Sequence, residues 1–260
     1  MNPFQVFWQS ACDTFEDLLP LTLISTVWLL VVLPLPLLAG GLAVGGAPFG
    51  AAALLMLTTL PMGTASVGLT VIAQRIHEGR TVSWGDFVAG ARRHSRSGWG
   101  VYGAWLAGLL VLLVNVSFYA QIEAPIGVYL TLLFAYFLVA WISLLIYLGP
   151  LMLLQERPSV RLAFRNAFVL AFSRPLFTLV TQVLMSIIVC LSMWPPLFLL
   201  ILITPALLAV WGFRATVTLI IADAEARHQA RQERERASAT TPSNPPATEK
   251  GRSGQIRPRE

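Results

Sequence analysis

Charged side chains are scarce in this sequence. Only 12% of its 260 residues are Asp, Glu, Lys or Arg, while 56% are hydrophobic. A soluble domain carries about 25% charged residues, enough to cover its core with a polar surface. The shortage of charge excludes an ordinary water-soluble fold and indicates that lipid surrounds most of the chain.

The charges that do occur leave long stretches with no ionisable side chain. These stretches cover residues 18–74, 97–122, 124–155 and 175–213. A membrane crossing needs about 20 apolar residues, so they hold two, one, one and two crossings in turn. Their apolar character is continuous, whereas strands of a membrane barrel alternate apolar and polar residues. The sequence therefore predicts an all-α polytopic membrane protein with six transmembrane helices.

Cysteine is also scarce, and basic residues are missing from the start of the chain. Residues 1–17 contain no Lys or Arg, so we expect no secretory signal peptide. Cys12 and Cys190 are the two cysteines. Six crossings place them at opposite membrane faces, too far apart for a disulfide bond.

The basic residues predict the orientation in the membrane. With six crossings, all 18 Lys and Arg residues fall on one side, and Glu123 is the lone charge on the other. Loops rich in Lys and Arg stay in the cytoplasm. We therefore expect a membrane protein with both termini inside and loops near 39–50, 120–126 and 193–196 outside.

Short interfacial helices are expected on the cytoplasmic side. Residues 2–17 show an apolar face at helical spacing, and similar faces follow the capping residues Ser83 and Ser159. The second of these three helices ends in a basic cluster that would attract anionic inner-leaflet lipids, namely Arg92, Arg93 and Arg96. We expect two regions, a transmembrane domain over 1–222 and a charged, largely disordered cytoplasmic tail over 223–260.

Within the third crossing, small residues recur at four-residue spacing. Gly100, Ala104 and Gly108 occupy these positions. Small side chains at this spacing let neighbouring helices approach closely. We therefore expect a tight helix contact along this stripe.

Catalytic and cofactor motifs are absent from the sequence. The histidines, His77, His94 and His228, have no Cys or acidic residue at zinc-site spacing. There is neither a nucleophile elbow nor a phosphate-binding loop. The positive-inside rule accounts for the arginines without nucleic acid. We expect no enzyme activity, no cofactor and no metal, and no binding of nucleic acid.

Two groups of residues are candidates for function. Four polar side chains inside the crossings either line a path for a solute or bond neighbouring helices, and these are Asn115, Thr181, Gln182 and Ser186. Charged residues of the inner loops either form a cytoplasmic interface, with the two acids as a paired site, or are solvated ion pairs, and these are Glu78, Arg80, Glu156, Arg157, Arg161 and Arg165.

Several segments resemble the YesL-like bacterial membrane proteins, a family classed as a domain of unknown function. The similarity lies in residues 155–178, in the opening Asn-Pro-Phe and in residues 78–93, which contain Gly-Arg-Thr-Val-Ser-Trp-Gly-Asp-Phe. It covers about residues 1–222. The resemblance implies a polytopic inner-membrane protein and, because family members often lie near carbohydrate-uptake genes, a link to transport. It supplies no catalytic residues.

Two functions follow as expectations. One is an accessory or regulatory role beside a carbohydrate importer, with a membrane transport complex as partner. The alternative is a self-contained transporter or channel for a small uncharged solute. An ion or proton pump is disfavoured, because no Asp, Glu, Lys, Arg or His lies inside the apolar stretches.

Overall fold

A computed structural model describes residues 3–155, 159–194 and 200–240. The described residues form helices and no strand, in the order α1 Pro3–Glu16, α2 Leu18–Val32, α3 Pro34–Val44, α4 Pro48–Leu57, α5 Thr59–His77, α6 Trp84–Tyr119, α7 Pro125–Leu154, α8 Val160–Ser173, α9 Pro175–Ser192 and α10 Thr204–Thr240.

Six helical stretches are long and apolar enough to cross a membrane. They are α2 with α3, α4 with α5, and then α6, α7, α9 and α10 singly. Pro34 stands at the first turn of α3, where its missing N–H and fixed φ allow a helix to begin again after a break. The expectation of an all-α polytopic membrane protein is confirmed.

The helix expected to begin at Ser83 is present, but it does not end before the third crossing. Ser83 and Asp86 form the capping box, with the Ser83 N–H donating to Asp86 Oδ2 at 3.1 Å. From there α6 runs for 36 residues without interruption, a length of about 54 Å. This exceeds the roughly 30 Å of a hydrocarbon core. The prediction of a separate interfacial helix is therefore wrong, since no proline breaks the chain between the basic cluster and the crossing.

The closest helix approach lies between α5 and α6. A Cβ atom added to Gly98 would stand 2.5 Å from the Gly63 carbonyl oxygen, and one added to Gly63 would stand 2.9 Å from the Gly98 carbonyl carbon. The two backbones therefore touch at this crossing. The glycines of the stripe expected to make a tight helix contact lie against other helices. Gly100 faces the side chain of Val160, and Gly108 faces the Trp141 ring.

The buried side chains form two clusters to which α5, α6 and α10 all contribute. One cluster is centred on α2, α5 and α10 and includes Leu21, Ile72 and Phe213. The other is centred on α6, α7, α8 and α10, with Tyr147 and Trp211 as its largest fully buried members. Because three helices contribute to both clusters, their packing couples the two halves of the bundle.

The first helix presents an aromatic face to the outside. Phe4, Trp8 and Phe15 are 58%, 69% and 67% exposed. Its opposite face is polar yet buried, with the Ser10 and Thr14 hydroxyls donating to carbonyls of their own helix at 2.7 Å. An exposed aromatic face on a helix beside membrane spans is typical of interfacial helices.

The charged end of the chain is a unit of its own. The chain divides into two compact units, Met1–Ile220 and Ile221–Glu260, close to the expected boundary. In the second unit α10 continues to Thr240 and carries the helical ion pairs Arg227–Asp223 and Arg231–Glu235, at 2.6 and 3.0 Å. Charges at four-residue spacing support this helix over residues 223–240, and the disorder expected for the rest of the tail stays a prediction. Residues 241–260 lie outside the described residues.

Candidate functional site

A cavity of about 550 Å³ lies among the membrane spans. Six helices contribute to its wall: α2, α5, α6, α7, α9 and α10. The lining is mainly apolar, and Leu, Ile, Met and Val make up eight of its 20 described residues. A concave, mainly apolar space with a few polar groups is the usual form of a small-molecule site.

One part of the wall carries a cluster of hydrogen-bonding side chains. Trp28 Nε1 donates to Ser66 Oγ at 3.2 Å, which ties α2 to α5. The Tyr102 hydroxyl of α6 bonds to the Thr70 and Ser66 side chains. Thr70 also donates to the Ser66 carbonyl oxygen at 2.8 Å. These groups satisfy each other in an apolar space, as buried polar groups must.

The cluster depends on a glycine of α7. A Cβ atom added to Gly149 would stand 2.8 Å from Thr70 Oγ1 and 2.9 Å from the Tyr102 hydroxyl oxygen. The adjacent Pro150 has no N–H, so the helix lacks its bond to the Ile146 carbonyl at this level. That carbonyl lies against Gly212 of α10. Both glycines therefore let α7 lie close to the polar cluster and to α10.

The α9 part of the wall carries a second row of polar side chains. Gln182, Ser186 and Cys190 line the cavity at four-residue spacing, which places them on one face of the helix. Gln182 Oε1 accepts a hydrogen bond from the Ser143 hydroxyl of α7, and its Nε2 donates to the Val139 carbonyl at 3.4 Å. The amide therefore bonds α9 to α7 at the cavity wall.

Formal charge is missing from the cavity. No Asp, Glu, Lys, Arg or His is among the described residues that line it. A charged ligand would lose its hydration here without gaining a partner, at a cost of several kcal/mol. The lining therefore favours an uncharged ligand.

Two of the four polar residues predicted to line a solute path lie in the cavity wall, and their role toward a solute stays a prediction. Gln182 and Ser186 are in the wall. Asn115 lies outside the wall, and its Nδ2 donates to the Val111 carbonyl of its own helix at 2.7 Å. Thr181 is fully buried and lies outside the lining, since one residue along a helix turns the side chain by about 100°.

The polar cluster on α5 and α6 was not predicted from the sequence. Ser66 and Thr70 are four residues apart in an apolar stretch, and this spacing on one helix face was the available signal. Tyr102, expected at the membrane boundary, is 5% exposed and reaches these hydroxyls.

Of the six charged candidates in the inner loops, the structure describes four, and one ion pair is found among these four. Glu78 and Arg80 form an exposed ion pair at 3.3 Å, as the solvated interpretation predicted. Arg161 and Arg165 are exposed on α8. Glu156 and Arg157 lie outside the described residues. Over the described ranges, no group of His, Cys, Asp and Glu could hold a metal ion.

An ion pair between α1 and α10 was not expected from the sequence. Arg214 is bonded to Asp13, with the two side chains 19% and 26% exposed, and it donates to Gln9 Oε1 at 2.9 Å. Nearby, the rings of Phe7 and Trp211 lie 4.9 Å apart. Together these contacts hold α1 against the bundle.

Comparison with family models, with curated proteins and with solved structures finds no match to the chain. The resemblance to YesL-like proteins therefore stays a prediction.

Proposed function

We propose that this membrane protein binds a small uncharged solute in the cavity, as a self-contained transporter would. The observation that supports the proposal is the space of about 550 Å³ between six helices, with a mainly apolar lining and two groups of neutral polar side chains. Such a lining would bind an apolar molecule through burial of its surface, and the polar groups would orient it.

The same lining bears on the expected link to carbohydrate uptake. A sugar carries many hydroxyl groups, each of which needs a hydrogen-bond partner when it leaves water. The polar groups of this cavity are few, and most are already bonded to each other. An accessory role beside a carbohydrate importer stays a prediction, in which the partner complex would hold the sugar.

A thermal-shift screen of the purified protein tests the proposal. Ligands that bind the folded state stabilise it by about 2.7 kcal/mol at a hundredfold excess over Kd. We expect uncharged amphiphiles such as dodecanol to raise the melting temperature, and the variant Ala209→Phe to lose this effect because Ala209 lines the cavity. The matched control is Ala104→Phe at an exposed position of α6. Equal shifts in both variants would contradict binding in the cavity.

Both termini and the arginine-bearing loops are proposed to face the cytoplasm of a bacterial inner membrane. In a cysteine-free background, single cysteines at Gly45, Glu123 and Trp194 should react with an impermeant thiol reagent added outside intact cells. Cysteines at Arg93, Arg165 and Arg231 should react after permeabilisation only, because cationic loops stay inside. Labelling of the Arg165 position from outside would overturn the orientation.

Anionic lipids are the proposed partners of the basic cluster on α6. Arg92, Arg93 and Arg96 are exposed there, and each arginine near an anionic surface contributes about 1 kcal/mol. Replacing all three by Glu should lower the melting temperature in phosphatidylglycerol-containing membranes. In pure phosphatidylcholine membranes the change should be small. An equal fall of the melting temperature in both kinds of membrane would show that the arginines do not act through the charge of the lipids.

A further inference from the structure

A second cavity lies on the outer surface of the bundle, beside the first. It is a groove of about 440 Å³ that runs along α9, with Val139 of α7 at its edge. Its sides are exposed apolar residues of membrane spans, including Leu179, Val183 and Ile187 at 53%, 49% and 47%. In a bilayer, exposed apolar side chains of membrane spans face the lipid chains. The groove is therefore open to the lipid phase.

The groove and the interior cavity share part of their walls. Gln182, Ser186 and Cys190 line both spaces. These residues form one stripe along α9, so the lipid-facing groove and the cavity are adjacent and share this stretch of wall. Two members of the stripe, a serine and a cysteine, have small side chains.

A hydrogen bond stands at the edge of this stripe. The Ser143 hydroxyl contacts Gln182 Oε1 and also lies 3.0 Å from the Val139 carbonyl of its own helix. Its single proton can serve one of these acceptors at a time. The bond between α7 and α9 can thus be exchanged for a bond within α7, without leaving the hydroxyl unpaired.

We propose that the ligand reaches the cavity sideways from the membrane, between α7 and α9, and that it is an uncharged amphiphile with a long apolar body. This inference rests on the proposed function and specifies its ligand. The apolar body passes along the groove. Its hydrogen-bonding end is bound inside by the side chains of Tyr102, Thr70 and Gln182. The bonds of Gln182 to Ser143 and to the Val139 carbonyl close the passage, and exchange of the first loosens it.

Photolabelling from the lipid phase tests this route. The probe is a diazirine-bearing long-chain alcohol dissolved in phosphatidylcholine vesicles that contain the full chain. Labelling is mapped by mass spectrometry over time. Met62 and Tyr102 report the interior, since they line the cavity and not the groove, and Val183 reports the groove.

Three variants separate passage from binding. Ile187→Trp narrows the groove without entering the cavity and should slow interior labelling several-fold, with the final extent unchanged. Leu176→Trp, on the same helix, lines neither space and should label like the unmodified chain. Ser143→Ala removes one of the two bonds that close the passage and should speed interior labelling several-fold.

The outcomes distinguish the route from the site. Interior labelling at the unmodified rate in Ile187→Trp would overturn the lateral route while leaving the binding site intact. Interior labelling of Ser143→Ala at or below the rate of the unmodified chain would also overturn the lateral route. This result does not depend on whether Ile187→Trp folds. No interior labelling of the unmodified chain after long exposure would overturn the proposed function itself.

Discussion

Gly98→Ala should destabilise the protein by about 1–3 kcal/mol, the usual cost of adding a methyl group to a tightly packed contact. The added Cβ would stand 2.5 Å from the Gly63 carbonyl oxygen, and backbone cannot rotate away as a side chain can. Helices α5 and α6 would have to separate, which would also disturb the polar cluster between Ser66, Thr70 and Tyr102. The midpoint of thermal unfolding in detergent measures the effect.

Gly103→Ala is the matched control on the same helix. Its added Cβ would meet Thr59 at 3.8 Å, an ordinary contact. Alanine also favours a helix over glycine by about 0.5–1 kcal/mol, so this variant should be neutral or slightly more stable. Similar melting temperatures for the two variants would contradict the close approach of α5 and α6.

Asp13→Ala should loosen the first helix from the bundle. The substitution removes the charged partner of Arg214 and leaves Gln9, which is neutral. Asp13 and Arg214 are both mostly buried. Breaking a fully buried pair costs about 3–5 kcal/mol, and partial exposure reduces the expected loss to about 2 kcal/mol. In a cysteine-free background, a cysteine at Val6, which is 7% exposed, should then react several-fold faster with a maleimide.

The control for this variant is Asp17→Ala. Asp17 precedes α2, and its side chain makes no capping hydrogen bond. This substitution should leave the reactivity at Val6 unchanged. Exchanging the charges, with Asp13→Arg and Arg214→Asp together, should slow the reaction again relative to Asp13→Ala. An unchanged rate in Asp13→Ala would show that the ion pair does not hold α1.

The membrane spans could be predicted from the sequence because they depend on local properties. A stretch of about 20 uncharged residues has few alternatives to a membrane helix. The capping box at Ser83 and Asp86 was predictable for the same reason, since both partners lie within one turn. Breaks at proline, as between α8 and α9 at Pro175, also follow from the chain itself.

The cavity could not be predicted because it depends on how the helices are rotated. Thr181 and Gln182 are neighbours in the sequence, yet Gln182 lines the cavity and Thr181 is buried elsewhere. Apolar residues surround both, so the usual contrast between an apolar and a polar helix face is missing. Tyr102 shows the same difficulty, since its role depends on hydroxyls of α5 that are distant in the chain.

The reactivity of a single cysteine at Met185 tests the central claim most directly. Met185 lines the interior cavity and not the groove. In a background with Cys12 and Cys190 replaced by Ser, Met185→Cys should react with a small uncharged maleimide dissolved in the membrane, and saturating dodecanol should slow that reaction several-fold. A cysteine at this position that does not react, or that reacts at the same rate with and without dodecanol, would contradict a cavity that binds an uncharged ligand.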